Sequence, residues 1–541
     1  MKSALFENKV VGYDQWLVAI GNKCLSSRNN NDCIFAGSQT VIVLKESNRP
    51  MSNIKKLASH TAIYGLSTII GRLLNYLLVP LYTRMLDPVE YGSVSEFYAY
   101  ASFLAVVFMY GMETAFFRFV QKEENKENVF STAWIAIIIS SLVLSVVFIF
   151  LTPALAEFSY NTNHQNYFYY FIAILAADAI TQIPFAWLRQ SNKPMRFAAI
   201  KLVGIGMNIG LNLFFILAVP LLSSKGFEWA TEIKSMASGV TFIFLINIAS
   251  SVLVLPFFLR EMKLLVIGFD AVLWKKMFRY ALPLMVLGFA GMINETMDRF
   301  LLKYIIPDKN IALAQIGIYG AVYKLSIIIS LFIQAFRFAA EPFFFSKAND
   351  KNAPELYAKV MHYFIMVCCV IFLMVTLYID FFKHFIGEPF RVGLAVVPIL
   401  LLANIFLGIF YNLSIWYKLT DKTIYGAIIT VLGAIITILL NVLWIPQWGY
   451  VGSAWATLIC YFTIAVVSYF LGQKYFPVPY SLKKIMLYFG LAFVFYFIYS
   501  FLHEMYLHNQ LSFTTLQFIA TLLFFGYIGW LYITERKELN V

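Results

Sequence analysis

Six cations and six acids of this sequence fall inside long apolar runs: Arg72, Arg118, Lys201, Arg299, Lys324 and Arg337, with Glu96, Glu113, Asp178, Glu295, Asp298 and Glu341. A charge at bilayer depth costs ~2.5–3.5 kcal/mol on insertion scales, and it tends to face an interior or a cavity. Depth sorts the twelve. Arg118, Lys201 and Arg337 lie near one end of their runs, where a long side chain reaches the headgroups. Glu96, near the opposite end of its run, reads the same way. Arg72, Arg299 and Lys324 lie too deep for that, and are the candidates for a cationic cavity that binds an anion. Asn75 follows Arg72 by one helical turn, and Arg337 shares a face with Gln334 and Glu341. Amides and phenols beside cations suit a ligand carrying phosphate and hydroxyls, although hydrogen bonding between helices explains them equally well.

The run Asn294-Glu295-Thr296-Met297-Asp298-Arg299 concentrates the acids. Glu295 and Arg299 stand at i,i+4, so the expectation is that they pair and neutralise each other. Asp298 then needs a partner or a proton of its own. Glu295, Asp298 and, earlier in the chain, Asp178 are accordingly the candidates for coupling to protons or another cation. No Walker-type loop, zinc motif or nucleophile elbow is present, so neither ATP hydrolysis by this chain nor a cofactor is expected. The cysteines lack metal-ligand spacing with histidines.

The elements that hold these charges are transmembrane helices. Of 541 residues, 60% are hydrophobic and 13% charged, against roughly half and a quarter in soluble domains. Apolar runs of 18 or more residues match a hydrocarbon core ~30 Å thick. Alternating ten-residue strands are absent, which excludes a transmembrane β-barrel. The fold class is all-α integral membrane, with about fourteen helices near 60–84, 91–118, 130–155, 167–190, 196–222, 237–259, 280–305, 315–346, 356–384, 392–418, 423–445, 450–475, 484–502 and 512–534. The net charge of +12 does not indicate nucleic acid, because alternate loops share it unequally. With the N-terminus inside, cytoplasmic segments hold 22 Lys/Arg and the opposite segments seven. That is the positive-inside bias, and it puts both termini in the cytoplasm.

Residues 1–50 differ from the rest: they are polar, with Asn29-Asn30-Asn31-Asp32, and are expected to be a cytoplasmic leader, either disordered or preceding a working start at Met51. Beyond them lies an internal repeat. Tyr91-Gly92, Glu113 and Phe116-Phe117 recur 228 residues later as Tyr319-Gly320, Glu341 and Phe344-Phe345. Trp187, Arg189, Lys193, Gly204 and Asn212 recur 229 residues later as Trp416, Lys418, Lys422, Gly433 and Asn441. This spacing implies two six-helix lobes, 51–265 and 266–480, with 481–541 adding two helices. Six is even, so both lobes enter the membrane in one orientation, as in parallel repeats. Glu113 and Glu341 become a matched pair at a gate or in the scaffold.

Gly71-Arg72-Leu73-Leu74-Asn75-Tyr76-Leu77-Leu78-Val79-Pro80-Leu81-Tyr82-Thr83-Arg84, Asp87-Pro88-Val89-Glu90-Tyr91-Gly92 and Glu113-Thr114-Ala115-Phe116-Phe117-Arg118-Phe119 resemble the first two helices of bacterial polysaccharide biosynthesis flippases. Asp298-Arg299-Phe300, Ile318-Tyr319-Gly320 and Glu341-Pro342 resemble the matching part of their second half. The family is the O-antigen and capsule type of the multidrug/oligosaccharidyl-lipid/polysaccharide exporter superfamily. The resemblance covers essentially 51–541 and implies a MATE-like inner-membrane protein that flips undecaprenyl-diphosphate-linked oligosaccharide to the periplasmic leaflet by ion-coupled alternating access. It also leaves room for a polysaccharide polymerase or assembly complex as partner. The competing functions are a lipid II flippase, a small-molecule or cation antiporter of the same superfamily and, from another class, a membrane-embedded polysaccharide polymerase. Loops of only ~10–20 residues, with no acidic catalytic pair, weigh against an enzyme.

Overall fold

The computed structural model describes residues 25–26, 32–37, 40–45, 65, 69–74, 76–236, 239–348 and 350–539. The chain divides into two compact units, Met1–Ser59 and His60–Val541. In the first, strands β1 (Leu25–Ser26), β2 (Asp32–Gly37) and β3 (Thr40–Lys45) form an antiparallel sheet in that order. The β2–β3 register pairs Asp32 with Lys45 and Gly37 with Thr40.

The second unit is helical. Among the described residues, 13 segments are long and apolar enough to cross a membrane. They are α2 (Pro88–Phe119), α3 (Lys126–Phe158), α4 (Thr162–Gln190), α5 (Pro194–Ser224), α6 (Gly239–Leu265), α7 (Ala271–Ile305), α8 (in two pieces, Lys309–Leu325 and Ile327–Lys347, of which Ile327–Phe345 is the apolar span), α9 (Ala353–Leu377), α10 (Glu388–Leu419), α11 (Thr423–Trp448), α12 (Tyr450–Tyr475), α13 (Leu482–Leu507) and α14 (Phe513–Arg536). Ahead of them, α1 (Val79–Met85) is the end of the expected helix near 60–84, of which residues 60–64, 66–68 and 75 lie outside the described residues. Each expected helix after the first has its counterpart here. Large side chains such as Phe150 (80% exposed) face outward, as they must where the surrounding solvent is lipid rather than water.

Local chemistry fixes where the helices start. The Asp87 carboxylate accepts from the Val89 and Glu90 amides at 2.8 and 2.9 Å, and Glu90 accepts from the Asp87 amide in return. With Pro88 in the first turn, this capping box starts α2. Asp308 caps α8, and Asp270 caps α7 through the Leu273 and Val272 amides. Those two donors hold the Asp270 carboxyl below its usual range, so it stays charged where the helix dipole favours an anion. Within α2 the path bends at Tyr110 and Gly111, both left-handed (φ 32° and 76°). A Cβ on Gly111 would also lie 2.9 Å from the Ala281 carbonyl oxygen of α7. In α5 a π-helical turn, Leu213–Ala218, follows Asn212 directly.

The Tyr-Gly pairs of the sequence repeat, Tyr91-Gly92 and Tyr319-Gly320, meet at a close contact between α2 and α8. The start of α2 lies along the first piece of α8 so closely that a Cβ on Gly92 would stand 1.9 Å from the Leu313 oxygen. A Cβ on Gly317 would stand 2.0 Å from the Pro88 oxygen, and one on Gly320 2.8 Å from Ser95 Oγ. Small residues let two helix backbones approach and gain packing that lipid cannot supply. Gly92→Ala cannot be relieved by a rotamer change, because the obstacle is backbone. It is expected to separate α2 from α8 and to lower stability by about 1–3 kcal/mol, read as a drop in the thermal midpoint of the purified protein. An unchanged midpoint would refute the close contact.

The added pair is tied to α9 at both of its ends. Glu535 of α14, fully buried, meets His362 Nε2 of α9 at 3.1 Å and accepts from Tyr488 of α13. At the other end Asp380, just past α9, meets Lys383 Nζ at 2.5 Å and His503 Nε2 of α13 at 3.3 Å. Burial pushes the Asp380 carboxyl up, but the hydrogen bonds from His503 and Lys383 outweigh it and hold it down at about 2. The pair thus packs as part of the second lobe.

Candidate functional site

The deep charges of the second lobe converge around one turn of α7. Asn294 anchors that turn: its amide donates to the Thr430 oxygen of α11 at 3.1 Å and accepts from Thr437 at 3.3 Å. The Tyr461 hydroxyl of α12 donates to its carbonyl at 3.2 Å. Gly433 of the repeat leaves room for this, since a Cβ there would press on the Asn294 amide at 3.1 Å. With Asn294 held from two sides, the residues that follow point in fixed directions.

Arg299 does not pair with Glu295 as its i,i+4 spacing suggests. Its guanidinium meets Asp298 Oδ1 at 3.1 Å and the backbone oxygen of Glu295 at 3.0 Å. Its Cζ also lies 5.0 Å from the Tyr323 ring centre and 5.5 Å from that of Tyr319, both on α8. Those rings draw the guanidinium toward α8, and the neighbouring carboxylate is the one it then reaches. Asp298, only 4% exposed, therefore has its partner. Glu295 is exposed and has no cation within 4 Å among the described residues. Lys324 is half-buried, with Arg299 and Glu295 as its electrostatic neighbours.

Arg337 stacks on Tyr411 of α10, 4.0 Å from the ring centre. Arg72 is exposed, and together with Arg337 and Glu295 it lies within electrostatic range of the Tyr411 hydroxyl. Arg72 and Arg337 thus both lie near Tyr411, while Arg299 and Lys324 lie near Glu295. Asn75 lies outside the described residues. Asp178 belongs elsewhere: it accepts from Ser251 of α6 at 2.7 Å and has Lys201 nearby, while Lys201 lies over the Phe185 ring at 4.5 Å.

Glu113 and Glu341 hold equivalent positions. Glu113 of α2 pairs with Arg189 of α4, and Glu341 of α8 pairs with Lys418 of α10. The repeat marks all four residues, but spacing alone does not show that they meet. Each pair ties two helices of one lobe to each other, and neither crosses between lobes.

Two polar networks escaped the sequence reading. In the first lobe Tyr82 donates to Asn212 at 2.7 Å, Asn212 to the Asn208 carbonyl at 2.8 Å, and Asn208 to both Asn247 and Ser250 at 3.0 Å. Neutral amides carry no depth penalty large enough to stand out, and only Asn212 was flagged, by the repeat. The second network surrounds Glu96, which is fully buried rather than at an interface. It meets Lys303 Nζ of α7 at 3.1 Å and accepts from Tyr100 at 2.6 Å and Asn161 at 2.9 Å. Helix ends looked exposed from hydropathy, but packing of α2 against α7 covers this one.

The architecture is a many-pass helical membrane fold. The lipid II flippase MurJ in an inward closed conformation matches with a TM-score of 0.65 at 15% identity, over 88% of this chain and 99% of that one. An inward-facing multidrug resistance MATE family transporter of the MOP superfamily matches at 0.56 and 15%, over 77% and 97%. An outward-facing structure of such a transporter matches at 0.51 and 15%, over 77% and 95%. At that identity the likeness is one of fold. The sequence itself places the chain more narrowly: the profile of the polysaccharide biosynthesis protein family matches residues 57–348, and the chain belongs to that family. No curated protein sequence matches it significantly.

Proposed function

We propose that this protein is a flippase that carries undecaprenyl-diphosphate-linked oligosaccharide from the cytoplasmic to the periplasmic leaflet of a bacterial inner membrane, with both termini cytoplasmic. The observation that carries this reading is the set of four cations, Arg72 and Arg337 near Tyr411 and Arg299 and Lys324 near Glu295. A diphosphate crossing a low-dielectric layer needs compensating charge, while its polyprenyl tail stays in lipid. Hydroxyl and amide groups beside the cations, Tyr411 among them, suit the sugars. Cationic drugs would be repelled by the same group. Because the MurJ fold is similar, lipid II is the second substrate to be tested.

The deciding experiment reconstitutes the protein in liposomes and follows leaflet exposure of defined lipid-linked oligosaccharides beside lipid II. Accelerated flipping of an oligosaccharide lipid supports the proposal. Flipping of lipid II alone, or efflux of small cations alone, would replace it.

Among the coupling candidates, Glu295 is favoured over Asp298 and Asp178, because it is exposed beside the cations while the others already have partners. Glu295→Gln is expected to remove the dependence of flipping on the ion gradient, with about a tenfold loss or more of gradient-driven rate. Full retention of that dependence would shift the role to Asp178, tested in the same way with Asp178→Asn.

A further inference from the structure

A second cationic site lies far from the cavity charges, where α2 ends and α7 begins. Arg118 and Lys122 from the first lobe and Lys275, Lys276 and Arg279 from the second line a cavity of about 590 Å³. Among the described residues, no carboxylate lines it. Glu123 and Asp270 line a smaller cavity that Lys276 also borders, and Asp270 is committed to the α7 cap. Among the described residues, none of the five cations has a carboxylate within 4 Å.

This arrangement is costly unless an anion is present. Lys275 and Arg279 are like charges at i,i+4, which destabilises a helix. They also stand in the first turns of α7, where the helix dipole disfavours positive charge. The positive-inside bias explains cations at this face but not their convergence from two lobes on one cavity. The walls are organised as well: the Arg118 guanidinium stacks on Tyr280, 4.2 Å from the ring centre.

The surroundings say what the anion is attached to. Val272, in the cavity wall, is 69% exposed, and Phe269 just before the helix is 44% exposed. Exposed apolar side chains interleaved with cations mark the level where hydrocarbon meets headgroups. From this we infer that the cavity binds the phosphate of a lipid headgroup in the cytoplasmic leaflet. A bound phosphate cancels the repulsion between the end of α2 and the start of α7, and so ties the two lobes together at this face. The inference needs only a membrane-embedded chain, and it stands or falls apart from the identity of the carried lipid.

The chemistry fits a resident anionic phospholipid and the diphosphate of a polyprenyl carrier alike, and the test separates them. Full-length protein in phosphatidylcholine nanodiscs is titrated with fluorescent phosphatidylglycerol and, separately, with polyprenyl diphosphate. The variant is K122Q/K275Q/K276Q. A control, K193Q/K263Q/K351Q, removes the same charge from the same face outside the cavity, so a fault of insertion would show in both. The expected result is a loss of affinity of about tenfold or more in the cavity variant alone. Loss for phosphatidylglycerol only assigns the site to a resident phospholipid, and loss for both lipids assigns it to the carrier as well. Equal binding by wild type and cavity variant would overturn the inference, as would equal losses in the cavity variant and the control. So would pyrophosphate in solution binding as tightly as the lipids.

Discussion

Lys303→Met is expected to destabilise the protein by about 3–5 kcal/mol, more than any loss at its surface. Lys303 and Glu96 are 1% and 0% exposed, so removing the ammonium strands a carboxylate in a region that neither water nor headgroups reach. Tyr100 and Asn161 still donate to Glu96, but two neutral donors do not replace a counter-charge. Glu96→Gln leaves the opposite charge stranded and is expected to cost a similar amount. The double variant Glu96→Gln/Lys303→Met removes both charges, and should recover most of the loss, because a buried pair gains little net energy over apolar groups of its own size. By contrast, Lys347→Gln, which breaks an exposed pair with Asp350, should change stability by less than about 1 kcal/mol. Thermal midpoints of the four purified variants decide the matter. A double variant as unstable as either single one would mean that the site is held by shape and not by charge.

The pair also bears on movement. Glu96 is on α2 and Lys303 on α7, so the ion pair crosses between the lobes at the end of the bundle where Gly92 meets Leu313. Under the alternating access of the proposed function, the Glu96–Lys303 tie would be among the contacts that must part or be carried along.

How much of this the sequence could show follows from what each signal measures. Hydropathy over ~19 residues sees the environment of a whole helix, so α2 to α14 were legible. The same window cannot tell lipid from protein as the neighbour of one residue. For that reason Glu96 read as an interfacial acid, and Arg337 as a snorkelling cation rather than one stacked on Tyr411. Helical spacing names partners within one helix only. It suggested Glu295 for Arg299 because it could not see Tyr319 and Tyr323 drawing the guanidinium toward α8. The repeat marked Glu113, Arg189, Glu341 and Lys418 separately, and only the folded chain shows two equivalent pairs.

On the proposed function, removing Arg72, Arg299 or Lys324 should abolish most transport, and the three variants are not equally clean. Arg72 is exposed and Lys324 has no carboxylate within 4 Å among the described residues. Arg72→Gln and Lys324→Gln therefore strand no buried acid and should insert and fold normally. A charge-assisted hydrogen bond to phosphate contributes about 1.5–3 kcal/mol, so each is expected to slow flipping by roughly ten- to a hundredfold. Arg299→Gln is different, because it leaves Asp298 buried without its partner and mixes a folding fault with a binding one. Arg299→Gln/Asp298→Asn restores neutrality, so any transport loss that persists in the double variant belongs to the ligand. Flipping in liposomes, corrected for the amount of inserted protein, separates the two contributions. Wild-type rates in Arg72→Gln, Lys324→Gln and the double variant would show that these charges serve the scaffold, and would leave the diphosphate to be compensated elsewhere.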